Sequence, residues 1–370
     1  MNRKQFWQIA AVVLLACGAV NAQAIATFDA PGAGQGAGQG TLAEGINPAR
    51  TTFGYYIDAS NVAHGFLRGR DGSFVTFSAP GAGTGAGQGT FAFSLNPEYA
   101  IVGYYIDGGG VLHGYVRAVL GAFTTFDAPG AGTSSGQGTN ALNINPAGTI
   151  AGYDFDSNGV AHAYLRSRNG SFTTFDAAGA GTGAGQGTGT ASGIALNPEG
   201  VLTGAYIDSN NSLHGYVRSL DGTITDIDAP GAGTGAGQGT DTDGINPAGT
   251  IPGVYVDANN VLHGYVRAPD GTLTTFNVPG AGTGPGQGTI PQGLNSEGEI
   301  TGGYVDGSSV SHGFVRDRHG AFTTFNAPGA GTGAAQGTFP LLNNPEGETT
   351  GYEIDSSGVF HGFLRTPRVR

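Results

Sequence analysis

The chain has 370 residues, of which 71 are glycine and 18 are proline, and only 11% are charged. Such a glycine and proline content approaches that of disordered proteins, but disorder also requires few aromatic residues, and here Phe and Tyr recur at fixed positions. The net charge is −12, and since phosphate backbones bind proteins through Lys and Arg, we discount nucleic acid as a partner.

The first 24 residues have the pattern of a secretory signal peptide. Arg3 and Lys4 give a positive start, and residues 9–20 form an apolar stretch of 12 residues. That stretch is too short to span a bilayer. The small residues of Ala22-Gln23-Ala24 predict cleavage after Ala24, with cleavage after Ala22 as the alternative.

Cys17 allows a second interpretation of the same segment. Leu14-Leu15-Ala16-Cys17 resembles a bacterial lipobox, in which the cysteine would carry the lipid. After residue 24 the chain contains no Cys, Met, Trp or Lys, so it forms no disulfide. No second apolar run reaches transmembrane length. We expect a secreted, extracellular or periplasmic protein, with lipoprotein anchoring through Cys17 as the alternative.

Residues 25–370 are predicted to form a single domain of seven repeats of about 49 residues. The motif His-(Gly/Ala)-(Phe/Tyr)-(Leu/Val)-Arg recurs every 49 residues, with one spacing of 52. The three extra residues fall between Thr188 and Asn197. A fixed period of this kind is typical of repeat architectures. The motif begins at His64, His113, His162, His214, His263, His312 and His361.

Each repeat predicts four short strands. The first ends at an Asn that begins an Asn-Pro-x-Gly turn in most copies, the residue order of a type I turn. The second, as in 101–107, ends at an Asp, and Asn, Gly or Ser three residues later suits a three-residue hairpin. The third strand carries the His motif, and the fourth is a segment such as Phe123–Asp127. The resulting sheet is apolar on both faces, so neighbouring repeats must cover it.

The chain ends predict a closed ring. The last repeat finishes at Arg365 after its third strand, and residues 26–29 supply the missing fourth strand. Pairing of 25–31 with 361–365 would remove an exposed edge. We therefore predict an all-β, seven-bladed β-propeller of four-stranded antiparallel blades, closed by the N-terminal strand pairing with the C-terminal blade. We expect it to be a monomer.

The His-containing strand and the Asn-Pro-x-Gly turn resemble those of the HAF-type extracellular repeat proteins, a family of exported chains predicted to be propellers. The resemblance covers essentially the whole chain after residue 24. Only His162-Ala163-Tyr164 departs from it, because the other six copies have Gly in the middle place. The resemblance implies a propeller and export, and it assigns no activity.

The Asp residues that end the second strands are expected to share one face with acids at the fourth-strand ends, and the seven motif Arg residues are expected toward the opposite face. Each Asp would cap its own hairpin by accepting hydrogen bonds from backbone N–H groups. A Ca²⁺ site is the alternative, because Ca²⁺ takes six to eight oxygen ligands; no other cofactor is expected. The candidate Ca²⁺ ligands are Asp58, Asp107, Asp156, Asp208, Asp257, Asp306 and Asp355.

The seven motif His residues are expected to be structural, buried and hydrogen-bonded within or between blades, because zinc sites cluster their ligands whereas these occur once per repeat. The glycine-rich segments predict tight crossings between blades. They cannot be phosphate loops, since such a loop needs a Lys that is absent after residue 24.

The near identity of the seven copies argues against an enzyme, because an active site needs unlike residues converging at one place. We expect a non-enzymatic exported protein that serves as a multivalent binding or adhesion platform, with a polysaccharide or surface protein as partner. A structural surface or matrix protein without a specific ligand is the first alternative. A propeller hydrolase or lyase is the second.

Overall fold

The computed structural model describes residues 24–189 and 193–367. The predicted signal peptide and lipidation site lie outside the described residues, except for Ala24. Within the described ranges the chain forms 29 β-strands and no helix, and nothing there has the length and apolarity of a membrane-crossing helix.

The strands follow the sequence repeats, numbered here 1 to 7. The N-terminal strand is β1 (Ala24–Phe28). Repeat 1 contains β2 (Gly40–Ile46), β3 (Thr52–Ile57), β4 (Ala63–Arg68) and β5 (Phe74–Phe77). Repeat 2 contains β6 (Gly89–Leu95), β7 (Ile101–Ile106), β8 (Leu112–Arg117) and β9 (Phe123–Phe126). Repeat 3 contains β10 (Gly138–Ile144), β11 (Ile150–Phe155), β12 (Ala161–Arg166) and β13 (Phe172–Phe175).

In repeat 4 the first strand is divided at the three-residue insertion, so the repeat has five strands. Repeat 4 contains β14 (Gly187–Thr188), β15 (Ala195–Leu196), β16 (Leu202–Ile207), β17 (Leu213–Arg218) and β18 (Ile224–Ile227). Repeat 5 contains β19 (Gly239–Thr242), β20 (Ile251–Val256), β21 (Leu262–Arg267) and β22 (Leu273–Phe276). Repeat 6 contains β23 (Gly288–Leu294), β24 (Ile300–Val305), β25 (Ser311–Arg316) and β26 (Phe322–Phe325). Repeat 7 contains β27 (Gly337–Asn343), β28 (Thr349–Ile354) and β29 (Phe360–Thr366).

Successive repeats are joined by direct backbone pairing. The third strand of one repeat pairs in parallel with the start of the first strand of the next, as Ala63 does with Gly89. At this point Gly89 has a φ of +115°, and a Cβ there would lie 2.2 Å from the Ala63 carbonyl oxygen. Only glycine permits so close an approach, which explains the Gly-Thr pair that begins every first strand.

The N-terminal strand completes the last repeat. β1 pairs antiparallel with β29, from Ala24 opposite Thr366 to Phe28 opposite Gly362, and β2 makes the parallel contact with β29 through Gly40 and Phe360. The predicted pairing of the N-terminal strand is confirmed, but the strand ends at Phe28 instead of continuing to residue 31. Cleavage after Ala22 would preserve every pair, whereas cleavage after Ala24 would remove one.

The predicted seven-bladed propeller of separate antiparallel blades is wrong. All 29 strands belong to one sheet, and the first three strands of the repeats form a closed, mixed ring of 21 hydrogen-bonded strands. Local sequence patterns predict the antiparallel hairpins. They do not predict the parallel pairing between repeats, because it joins residues far apart in sequence. The closed sheet resembles a propeller.

Aromatic and cationic side chains fill the space between repeats. A Phe or Tyr of each third strand is fully buried, as Tyr115 is. In six repeats the motif Arg lies over the last Phe of the preceding fourth strand, with Arg117 Cζ 4.7 Å from the centre of the Phe77 ring. Such a contact contributes about 0.5–2 kcal/mol. These Arg residues therefore act as links between repeats.

The Asn at the end of the first strand has two functions in four of the repeats. The Oδ1 atom of Asn344 accepts a hydrogen bond from the Glu348 N–H, which closes the turn. Its Nδ2 group donates to the backbone carbonyl of Asn47 in the next repeat. Equivalent side-chain bonds run from Asn145 to Asn197, from Asn246 to Asn295 and from Asn295 to Asn344.

Candidate functional site

A His residue with oxygen atoms on both sides recurs on the surface of every repeat; we call each group a His cluster. In repeat 2, Nδ1 of His113 lies 2.8 Å from Oδ1 of Asp127, at the end of the fourth strand. Its Nε2 lies 3.5 Å from Oδ2 of Asp107, and its ring stacks on Tyr105 at 4.9 Å. The oxygen partners of the seven Nδ1 atoms are Ser78, Asp127, Asp176, Asp228, Asn277, Asn326 and Asp29.

The imidazoles are partly exposed, and not buried as the sequence predicted. Their side chains are 19–32% exposed. In five repeats a Tyr ring stacks on one face of the imidazole. In repeat 3, burial lowers the pKa of His162, but the contacts with Asp176 outweigh it and raise the pKa above its usual value. His162 therefore favours its protonated form.

The Asp at each second-strand end is bonded to its own hairpin. Oδ1 of Asp107 accepts hydrogen bonds from the N–H groups of Gly109 and Val111, at 2.8 and 2.9 Å, and the Val111 bond lowers the pKa of this Asp. The same pair of bonds occurs at Asp58, Asp156, Asp208, Asp257, Asp306 and Asp355. In the described part of the chain, no group of three or more His, Cys, Asp or Glu residues is arranged to hold a metal.

We expect Asp107→Ala to lower the free energy of unfolding by about 1 kcal/mol, because two backbone N–H groups lose their acceptor. Asp107→Asn keeps the Oδ1 acceptor and should remain close to wild type. Chemical denaturation of the three proteins, with Ca²⁺ and with chelator, measures both effects. A free energy of unfolding that Ca²⁺ raises, by an amount that either substitution abolishes, would contradict the capping role and support a metal site.

Two repeats depart from the Tyr–His pair. Asp154 in repeat 3 and Glu353 in repeat 7 stand where the other repeats have Tyr. Asp154 is 1% exposed, and neither carboxylate oxygen has a hydrogen-bond partner among the described residues. Desolvation raises the pKa of Asp154 to about 6 and that of Glu353 to about 7. Burial therefore destabilises the ionised form of both carboxyls.

The space that Tyr fills elsewhere is open in repeat 3. A Cβ added at Gly81 would lie 3.3 Å from the Tyr105 hydroxyl, whereas one at the equivalent Gly130 meets no atom within 4 Å. The His cluster of repeat 3 is thus incomplete, with a buried carboxyl at its base.

The first strands surround an axial channel, and in five repeats a β-bulge turns one residue of the first strand toward it. The pairing of β2 with β3 shifts between Ala43 and Gly45, which leaves Glu44 unpaired. Bulges of this kind redirect a side chain. The bulged residues in repeats 2, 3, 6 and 7 are Phe93, Leu142, Gln292 and Leu341. Asp243 holds the same position in repeat 5, immediately after β19.

These unlike residues line one cavity of about 210 Å³, together with Asn143, Ile194 and Leu342. Burial raises the pKa of Glu44 to about 8 and that of Asp243 far above its usual value, the latter also through repulsion by Asp241. Oδ2 of Asp243 is buried and has no hydrogen-bond partner within the described ranges. The side chains that differ most between repeats thus face one cavity, which makes the channel a candidate binding site.

The loops of the seven repeats are nearly identical and give no sign of this site, which sequence comparison of the loops therefore does not predict. The available signal was the fifth residue counted from the Gly of each Gly-Thr pair. That residue is Glu44, Phe93, Leu142, Asp243, Gln292 or Leu341 in the six repeats without the insertion. Variation at one position of a conserved internal pattern marked the residues that share a place in space.

No protein-family model and no curated protein matches the chain. Among solved structures, the BP39L lectin from Burkholderia pseudomallei is similar with a TM-score of 0.58 and 12% identity, over 88% of this chain and 98% of that chain. A puromycin hydrolase is similar with a TM-score of 0.51 and 13% identity, over 85% of this chain but only 50% of that chain. At these identities the likeness concerns the fold alone. It supports a propeller-type repeat protein, and the HAF-type resemblance is not confirmed.

Proposed function

We propose that this is an exported, non-enzymatic protein that binds carbohydrate through equivalent surface sites, one at each His cluster. The observation that carries the proposal is the recurrence in all seven repeats of a partly exposed His with oxygen partners on both sides, stacked on a Tyr in five of them. The similarity of the fold to a protein described as a lectin agrees with it. The signal-peptide pattern of residues 1–24 supports export.

The atoms of a His cluster suit a sugar. Sugar hydroxyls donate hydrogen bonds, and each cluster offers two outward oxygen groups, as Asp107 and Asp127 do with side chains 33% and 57% exposed. The free face of the His113 ring can pack against the C–H groups of a sugar ring, because Tyr105 occupies the other face. One cluster provides few contacts and binds weakly. Several clusters engaging one repetitive polymer would raise the avidity by ~10²–10⁴.

The channel residues do not favour a glycosidase. Glycoside hydrolysis requires one protonated carboxyl and one ionised carboxylate. Here burial raises the pKa of both Glu44 and Asp243, so the same cause disfavours the ionised form of each. The described lining of the cavity also contains no Ser, Cys, Thr or Lys nucleophile.

The proposal predicts retention of the protein on a surface of immobilised bacterial or fungal polysaccharides, with a much weaker response to the free monosaccharides. The double variant Asp127→Ala, Asp228→Ala removes exposed acceptors from two clusters and should reduce retention at least tenfold, since avidity depends on several sites acting together. Asp71→Ala, in an exposed turn that belongs to no His cluster, is the matched control. Retention unchanged by the double variant, or absent on every polysaccharide, would reject the proposal.

A further inference from the structure

Two carboxyl groups face the channel from nearly opposite sides. Glu44 and Asp243 occupy the same position of their first strands, so they lie at the same depth. They belong to repeats 1 and 5 of the closed ring of seven, with three repeats between them in one direction and two in the other. Both line the same cavity. A ligand in the channel therefore meets a carboxyl at each end.

The channel contains no positive charge to balance these groups. Its described lining has no Arg, Lys or His, and the uncharged polar side chains are Asn143 and Gln292. Oδ2 of Asp243 is buried without a partner in the described part of the protein. An unpaired buried carboxylate is unfavourable, so a cation or a bound proton must accompany each group.

Apolar side chains separate the two carboxyls. Phe93, Leu142, Ile194, Leu341 and Leu342 line the same cavity. A metal ion of the Ca²⁺ type needs six to eight oxygen ligands, and an apolar wall supplies none. The cavity of about 210 Å³ is smaller than the ~300–1,000 Å³ of pockets for drug-sized molecules. A small ligand with an apolar middle and cationic ends matches this lining.

We propose that the axial channel binds one small aliphatic diamine, whose two ammonium groups pair with Glu44 and Asp243 while its methylene groups contact Phe93 and the Leu side chains. Asn143 and Gln292 can accept the remaining ammonium hydrogens through their amide oxygens. This site is separate from the proposed carbohydrate sites, and the proposal does not depend on carbohydrate binding.

The test uses 1,4-diaminobutane and 1,5-diaminopentane as probes and the whole protein in isothermal titration calorimetry. We expect one site per chain, with binding at least tenfold weaker for butylamine, which has a single ammonium group. Since burial raises the pKa of both carboxyls in the empty channel and pairing with an ammonium group favours the ionised form, binding should release protons. The measured heat should then depend on the ionisation enthalpy of the buffer. Absence of binding at millimolar diamine would overturn the proposal.

Glu44→Gln and Asp243→Asn remove the charge and keep the shape, and each should weaken diamine binding at least tenfold. Both variants should fold, because each removes a buried ionisable group, and thermal unfolding verifies this. Asp127→Asn, in a His cluster, is the control and should bind diamine as the wild type does. Equal affinity in the channel variants, more than one site per chain, or stronger binding of Ca²⁺ than of diamine would each contradict the proposal. Polysaccharide retention should not change in Glu44→Gln, which distinguishes failure of this site from failure of the proposed function.

Discussion

Removal of residues 24–31 is expected to lower the free energy of unfolding by about 5 kcal/mol or more. The truncation removes the fourth strand of repeat 7 and leaves one side of β29 unpaired over five residues. It also removes Ile25 and Phe28, which pack against the cores of neighbouring repeats. Burial of such side chains contributes about 1.5–3 kcal/mol each, and the lost backbone pairing adds to this.

Phe28 links the two ends of the ring. Arg68 of repeat 1 lies over its ring, with Cζ 4.5 Å from the ring centre, and Phe66 packs against it edge to face. Asp29 contacts Nδ1 of His361 at 2.9 Å. The truncated protein therefore loses its covering on repeat 1 as well as the pairing on repeat 7, and an exposed strand edge promotes association between chains.

Differential scanning calorimetry and size-exclusion chromatography of the truncated and full proteins measure these effects. Phe28→Ala and Phe126→Ala form a matched pair, because each Phe lies under the Arg of the following repeat. Both should lower stability by similar amounts, which would show that the N-terminal strand serves repeat 7 as an internal fourth strand serves its own repeat. Equal melting temperatures for the truncated and full-length proteins would refute closure of the ring by β1.

The repeat period and the four strands of each repeat were predictable because they depend on local patterns. The Asn of the turn recurs in all seven repeats, with Pro after it in six and Gly three residues later in five. Asp followed three residues later by Asn, Gly or Ser sets the hairpin in all seven. The direction of Glu44 was not predictable in the same way. Alternation assigns side chains to two faces, and an unmarked bulge after Ala43 breaks the alternation.

The parallel contact between repeats could not be predicted from one repeat alone. It depends on Gly89 meeting the backbone of Ala63, and a single Gly in a glycine-rich segment does not reveal its partner. The burial of the His residues was likewise misjudged, because whether the outer ring face is covered depends on the path of the loop that follows the fourth strand. Sequence spacing placed the His residues on strands but did not determine their exposure.

Asp154→Tyr is expected to raise the free energy of unfolding at pH 7 by about 1–3 kcal/mol. The substitution restores the residue found beside the His in repeats 1, 2, 4, 5 and 6. The new ring should stack on His162 as Tyr105 stacks on His113 and fill the open space beneath Gly130. It also removes a buried carboxyl without hydrogen-bond partners in the described structure, whose desolvation is unfavourable. The reverse change in repeat 2, Tyr105→Asp, should destabilise the protein.

The pH dependence of the free energy of unfolding separates two effects of Asp154: the cost of its buried charge and the cost of the unfilled space beside it. Desolvation raises its pKa from 3.8 to about 6 in the folded protein, so the folded state binds a proton that the unfolded state releases between these values. The stability linked to this proton is complete below pH 3.8 and is lost as the pH rises through about 6. The advantage of Asp154→Tyr over the wild type should therefore be greatest at pH 7 and shrink toward pH 4.

Asp154→Asn provides the decisive comparison, since it removes the charge without filling the space. Urea unfolding of the wild type, Asp154→Asn and Asp154→Tyr at pH 4, 5.5 and 7 gives the three profiles. Asp154→Asn should show the same flattened pH dependence as Asp154→Tyr, but it should gain less stability. The pKa of His162 is also raised in the folded protein, so the folded state binds the imidazole proton more tightly than the unfolded state does. Both variants should therefore keep a smaller slope of the free energy of unfolding against pH. Identical pH profiles for all three proteins would show that Asp154 is not protonated in the folded state near pH 6, and that its buried oxygens are satisfied by solvent.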